Sequence, residues 1–141
     1  PPTCIPVSSA CTVKMVNQLL AGVHIAAAAE AMALGIRAGA DPNMLYEVIS
    51  SAAGNSWMFS NRVPHILDGD DTPRSAVDIF VKDLGIVLDA ARGMTFPLPV
   101  TSAAHQLYLG VSAAGHGGRD DAFVIRFWQM LAGIDLPPKR D

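Results

Sequence analysis

One stretch governs what this chain can become. CTVKMVNQLLAGVHIAAAAEAMALGIRAGA, Cys11 to Ala40, has no formal charge between Lys14 and Glu30 and is dominated by alanine, leucine and other apolar residues. Its composition favours helix, Ser8 or Ser9 stands where an N-cap is needed, and Gly39 followed by Asp41 and Pro42 supplies a stop and a new start. The stretch predicts one helix of about two dozen residues, roughly 40 Å long at 1.5 Å per residue. Something must cover it. A membrane is the first possibility, since Leu19 to Ile36 approaches the length of a bilayer span. His24 and Glu30 argue against it, because a charge at mid-span costs about 2.5 to 3.5 kcal/mol and alanine returns little. The expected cover is protein: the rest of this chain or a second copy.

Half of the 141 residues are apolar, enough for one domain to bury its own core. The net charge is −3 and the ten Lys and Arg are scattered, which gives no basic surface for nucleic acid or an anionic membrane. Cys4 and Cys11 fit neither a metal spacing nor a disulfide framework, so the expected compartment is a reducing cytoplasm. The opening PPTCIPVSS lacks the basic flank and apolar core of a signal peptide. His24, His65, His105 and His116 are isolated from one another, and no metal site is expected.

Helix signals continue to the end of the chain. DPNMLYEVISSAAG reads as a short helix with Asp41 as cap, Pro42 at the first helical position and Gly54 as terminator. In NSWMFSNRVPHILDGDDTPRS, Pro64 predicts a broken helix and the Gly, Asp and Pro cluster an exposed loop, with Asp70 and Asp71 solvated. SAVDIFVKDLGIVLDAARG restores the pattern, with Val77, Val81, Leu84 and Leu88 on one stripe and Gly93 beyond it. Ile79, Phe80 and Ile86 lie elsewhere on the wheel and imply burial on more than one side. A helix follows Pro99, and a last one runs from Asp120 to about Gly133. No strand, repeat or low-complexity tract is evident, so the fold class is all-α.

Polar residues interrupt the apolar helices at two places. Lys14, Asn17 and Gln18 are three and four residues apart and share a helix face, against which a ligand could lie. A lysine in the N-terminal half of a helix gains nothing from the helix dipole, and a field that lowers its pKa suits proton transfer. The same pattern is explained by a solvated lysine beside two amides bonding a neighbouring segment. Lys82 and Asp83 interrupt the fourth helix, where Asp78, four residues earlier, accounts for the lysine as an ordinary ion pair. Ser56 and Trp57 are ambiguous: a tryptophan is more often core than ligand platform, but a loop of this composition can line a cleft. No GxGxxG, P-loop or GxSxG motif occurs, so an enzyme with this sequence needs its cofactor domain elsewhere.

TVKMVNQLLAGVHIAAAAEAMALGIRAGADP and GNSWMFSNRVPHILDGDDTPRSAVDIFVKDLGIVLDAA together closely resemble the C-terminal domain of the β-hydroxyacid dehydrogenases. That family includes 3-hydroxyisobutyrate dehydrogenase, tartronate semialdehyde reductase and, more distantly, 6-phosphogluconate dehydrogenase. The resemblance runs from about Thr12 to Gly133 and is greatest to the L-threonate dehydrogenase branch. It implies a helical domain like the C-terminal domain of 6-phosphogluconate dehydrogenase over residues 12–134. Residues 1–11 would be a linker or appended segment, 135–141 a tail, and a Rossmann domain binding NAD or NADP would precede them. The family's K-x-x-N-N or K-x-x-N-Q pattern falls on Lys14, Asn17 and Gln18. It implies Lys14 as general acid/base, Asn17 and Gln18 as substrate-facing, and a small polyhydroxy acid as substrate. The family's K-D-L falls on Lys82, Asp83 and Leu84, implying Lys82 near the cofactor. Two departures are SSAC before the lysine, where a glycine-rich loop is usual, and Ser75, where many members have phenylalanine. Association through the helical domain, at least as a dimer, is implied too. The rival is a non-catalytic helical oligomerisation or binding module, in which both lysines are structural.

Overall fold

The computed structural model describes residues 9–141 and is all-α. Helix α1 runs Ser9–Arg37, α2 Pro42–Ile49, α3 Trp57–Leu67, α4 Val77–Gly93 and α5 Pro99–Val111. A π turn, Ser112–His116, and a 3-10 turn, Asp121–Ile125, lead into α6, Arg126–Ala132. Among the described residues the only extended pairing is an isolated bridge between Ala76 and Asp120. Ser8, one of the two expected caps, lies outside the described residues.

The alanine run makes α1 the axis of the domain. Ala21, Gly22, Ile25, Ala26, Ala28, Ala29, Met32 and Ala33 are buried, two neighbours on each successive turn, which gives a continuous inward stripe. Small side chains there let α3, α4 and α5 come close. The approach of α4 is close at Gly22, where a Cβ would sit 2.8 Å from Phe80 Cδ1 and 3.0 Å from Leu84 Cδ2. The buried Tyr108 hydroxyl donates to the Gly22 carbonyl at 2.6 Å and its ring stacks on Phe80 with centroids 5.3 Å apart. Not all of the run is inside: Leu20, Ala27, Ala31 and Leu34 face outward. Beyond Arg37 the chain turns in a Schellman arrangement, with Ala40 N–H donating to Gly35 O and Gly39 at φ 91°.

Several local expectations are corrected. The second helix stops at Ile49: beyond it Ser51 and Ala52 N–H groups bond back only three residues, to the Val48 and Ile49 carbonyls, and the Ser50 hydroxyl donates to Tyr46 O at 2.6 Å. Pro64 does not break α3. It removes the N–H that would bond the Ser60 carbonyl, and the Tyr46 hydroxyl donates to that carbonyl instead at 2.9 Å. Trp57, which the sequence leaves between core and cleft, is 71% exposed: α3 buries Phe59, Val63, Ile66 and Leu67, and Trp57 in the first turn points away from that stripe. On α4 the inward residues are Val77, Phe80, Leu84, Val87 and Ala91, so Val81 and Leu88 are only half-buried while Ile79 and Ile86 are exposed. Cys11, expected outside any disulfide framework, is disulfide-bonded, since a single bond needs no framework of several.

The loop after α3 is tied down by charges. Asp71, expected in solvent, accepts from Arg126 Nη2 at 2.9 Å and lies 3.7 Å from Arg119. Asp70 does behave as a turn residue, accepting from Thr72 N–H, and hydrogen bonding from the Thr72 side chain and then its backbone holds its carboxyl below the usual range. Asp120 and Asp121, both fully buried, bind His65 Nδ1–H at 2.8 Å and Arg62 at 2.7 and 3.2 Å. The segment after Ala132 folds back over this region: Ile134 is buried, Arg140 N–H donates to Asp68 O, and the Pro138 backbone packs against Gly69, whose φ is 61°.

Candidate active site

The two polar interruptions read from the sequence meet in space. Lys14, Asn17 and Gln18 occupy the second and third turns of α1, ahead of the buried stripe. α4 lies alongside because Gly22, one turn further on, admits Phe80 and Leu84. That packing sets Asp83 opposite Gln18, and Gln18 Nε2–H donates to Asp83 Oδ2 at 2.8 Å. Asn17 Nδ2–H donates to Gln18 Oε1 at 3.4 Å, and Lys82 Nζ stands 3.8 Å from Asp83 Oδ1. One line of contacts therefore runs from Asn17 through Gln18 and Asp83 to Lys82. Lys14 is exposed one turn before Asn17, on the same face.

The expected ion pair between Asp78 and Lys82 does not form. Asp78 belongs to the start of α4, where no side chain caps the helix. There Val77 and Asp78 N–H groups donate to the Arg119 and Gly117 carbonyls. The Asp78 carboxylate, placed favourably in the first turn, is held by the Ser112 hydroxyl at 2.6 Å. Lys82 is left to Asp83 and is 66% exposed at its side chain. Lys14 likewise lies past the first turn, where the dipole field is strongest, so its place rests on the face it shares rather than on that field.

Chemically, the cluster offers two exposed ammonium groups, one partly buried carboxylate and two amides on one helical surface. Cations of this kind suit an anionic ligand, and amides suit hydroxyls. Ser56, without a role in the sequence, caps α3 by accepting from Phe59 N–H at 2.9 Å. Two of the histidines are structural: His105 Nε2–H donates to the Val81 carbonyl at 2.9 Å, and His65 binds Asp120. Among the described residues no group of three His, Cys, Asp or Glu could hold a metal ion. Asp83 is the member of the cluster that sequence reasoning gave no role. Its signal was the apolar stretch around it, which leaves a carboxylate on the α1-facing side needing a partner.

Comparison with known proteins bears directly on this arrangement. Residues 8–128 match the family model described as NAD-binding of NADP-dependent 3-hydroxyisobutyrate dehydrogenase. The chain is 67% identical over 129 residues to an L-threonate dehydrogenase of Cupriavidus necator, covering 92% of the chain and 42% of that protein. It is 57% identical over 126 residues to an L-threonate dehydrogenase of Escherichia coli K12, covering 89% of the chain and 41% of that protein. A crystal structure of a 3-hydroxyisobutyrate dehydrogenase from Salmonella typhimurium superposes with a TM-score of 0.81 at 60% identity, over 82% of this chain and 41% of that one. The chain thus spans about two fifths of the length of these relatives. With the family model matched along most of its length, and close relatives that are named dehydrogenases, the chain belongs to the NAD-binding 3-hydroxyisobutyrate dehydrogenase-like family.

Proposed function

We propose that this chain is the lysine-bearing helical domain of an NAD(P)-dependent dehydrogenase that oxidises a small polyhydroxy acid of the L-threonate kind. Its fold is then that of the C-terminal domain of 6-phosphogluconate dehydrogenase, joined to a nucleotide-binding domain outside residues 1–141. The observation that carries this reading is the contact between Gln18 and Asp83, which brings Lys14, Asn17 and Gln18 onto one surface with Lys82. The similarity to L-threonate dehydrogenases supports the substrate class.

The bound nicotinamide would supply the hydride acceptor. The residues of this chain have the remaining tasks. Lys14, in its neutral form, takes the proton from the substrate hydroxyl as the carbonyl forms, and returns it as an ammonium in the reverse direction. Asn17 and Gln18 orient the substrate beside it, and Lys82, exposed at the edge of the cluster, attracts the anionic cofactor. A second copy of the chain would cover the outward face of α1.

Lys14→Ala in the full-length protein tests this directly. Positioned proton transfer is worth about 10²- to 10⁴-fold, so the turnover number should fall at least about 10²-fold while the fold persists. A variant with near-normal turnover for L-threonate would remove Lys14 from the proton transfer.

A further inference from the structure

In the reading above Asp83 joins α4 to α1 through Gln18 but has no task toward the substrate. A carboxylate accepts hydrogen bonds and donates none, whereas the two ends of a glutamine amide are opposite in character. With Asp83 Oδ2 at 2.8 Å, the end of Gln18 that faces α4 must be Nε2, and Oε1 must point the other way, towards Asn17 and the face shared with Lys14. The Asn17 contact at 3.4 Å is long and leaves acceptor capacity on that oxygen. Gln18 is half-buried and Asp83 only 20% exposed, so the contact is sheltered, and Lys82 stands 3.8 Å from the other carboxylate oxygen.

We infer that Asp83 is a positioning residue that sets substrate selectivity: it fixes the Gln18 amide so that its carbonyl accepts from a hydroxyl of the substrate other than the reacting one. The inference deepens the proposed function and rests on the substrate-facing placement of Gln18. An acceptor held at that point favours polyhydroxy acids over acids carrying a methyl or methylene there, because the apolar group would leave the carbonyl unpaired. Without Asp83 the amide is free to rotate, and its NH₂ end competes for the same place.

The test uses the full-length protein with L-threonate and the two monodeoxy analogues that keep the reacting hydroxyl. The wild type should prefer L-threonate over at least one analogue by about 10-fold or more in kcat/KM, expressed through KM. Asp83→Ala and Gln18→Met should each bring that ratio towards one, and the double variant should lose no more than either single variant. In the present chain, the side-chain amide of Gln18 should give a protected NMR signal that collapses in Asp83→Ala, a readout independent of activity. Intact selectivity in Asp83→Ala, additive losses in the double variant, or an unchanged amide signal would each overturn the inference. Lys14→Ala, measured in parallel, separates the two proposals. Retained turnover in Lys14→Ala counts against the catalytic lysine, whereas lost turnover there with intact selectivity in Asp83→Ala counts against Asp83 alone.

Discussion

Tyr46→Phe isolates how α3 tolerates a proline three residues before its last residue. The tyrosine hydroxyl reaches the Ser60 carbonyl at 2.9 Å, and that carbonyl is the one Pro64 deprives of its helical donor. Phenylalanine keeps the ring, including its stacking on Phe59 at 6.0 Å between centroids, and deletes only the donor. A carbonyl left unpaired inside a protein costs about 1 to 3 kcal/mol. Ser60 is half-buried, which places the expected loss near the lower end, at about 1 kcal/mol and roughly 3 °C in Tm. In a Pro64→Ala background the new N–H bonds Ser60 itself, so the same Tyr46→Phe change should cost little. The four proteins form a double-mutant cycle, read by urea unfolding under circular dichroism at fixed protein concentration. Effects of Pro64→Ala on the unfolded chain cancel in it. Equal costs of Tyr46→Phe in both backgrounds, or no cost beside Pro64, would refute the account.

Two further outcomes are expected. Arg62→Met strands the fully buried Asp121 and should destabilise by about 3 to 5 kcal/mol, with a particular pH dependence. Burial already pushes the Asp121 carboxyl above its ordinary 3.8 while Arg62 pulls part of that back. With Arg62 gone, the folded protein holds the Asp121 proton more tightly than the unfolded chain. The variant is therefore least handicapped below that ordinary value and loses stability as pH rises through the raised folded pKa. A gap to wild type that does not change with pH in denaturant titrations contradicts this. Separately, Leu34 and Leu131 are 71% and 73% exposed, and with Leu20, Ala27 and Ala31 they leave an apolar surface along α1 and α6. The chain should sediment as at least a dimer burying over about 1,000 Å². A strictly monomeric mass at high micromolar concentration would end that proposal.

What could be read from the residues depended on whether the signal was local. The stop of α1 at Gly39, the Asp41–Pro42 start of α2 and the glycine stop after α6 were legible because caps, proline and left-handed glycine act within a few residues, although α1 at 29 residues is longer than the two dozen expected. Pro64 misled for the same reason: its effect on α3 is offset by Tyr46, which lies 18 positions earlier and is invisible to any local rule. Likewise the shared face of Lys14, Asn17 and Gln18 follows from helix geometry, but their meeting with Asp83 needs α1 and α4 in register. Lys82 was assigned to Asp78 by spacing alone, and only the loop carrying Ser112 and Gly117 shows why Asp78 is occupied. Asp120 and Asp121 looked like an ordinary helix start, since nothing nearby announces Arg62 or His65.

The notch at Gly22 sets the tolerance to which the polar cluster is built. Phe80 and Leu84 press into the space where a side chain would stand, and they flank Asp83 on the same helix. Sliding α1 along α4 by a single residue is a shift of about 1.5 Å, enough to part Gln18 from Asp83. The alignment of flexible, hydrated groups is thus referenced to a hard stop made of hydrocarbon and fastened by the Tyr108 hydroxyl behind it. Damage to the chemistry can accordingly arise at positions that carry no charge and touch no ligand, and an ångström of bulk at residue 22 is transmitted to the amide of residue 18 as misregistration.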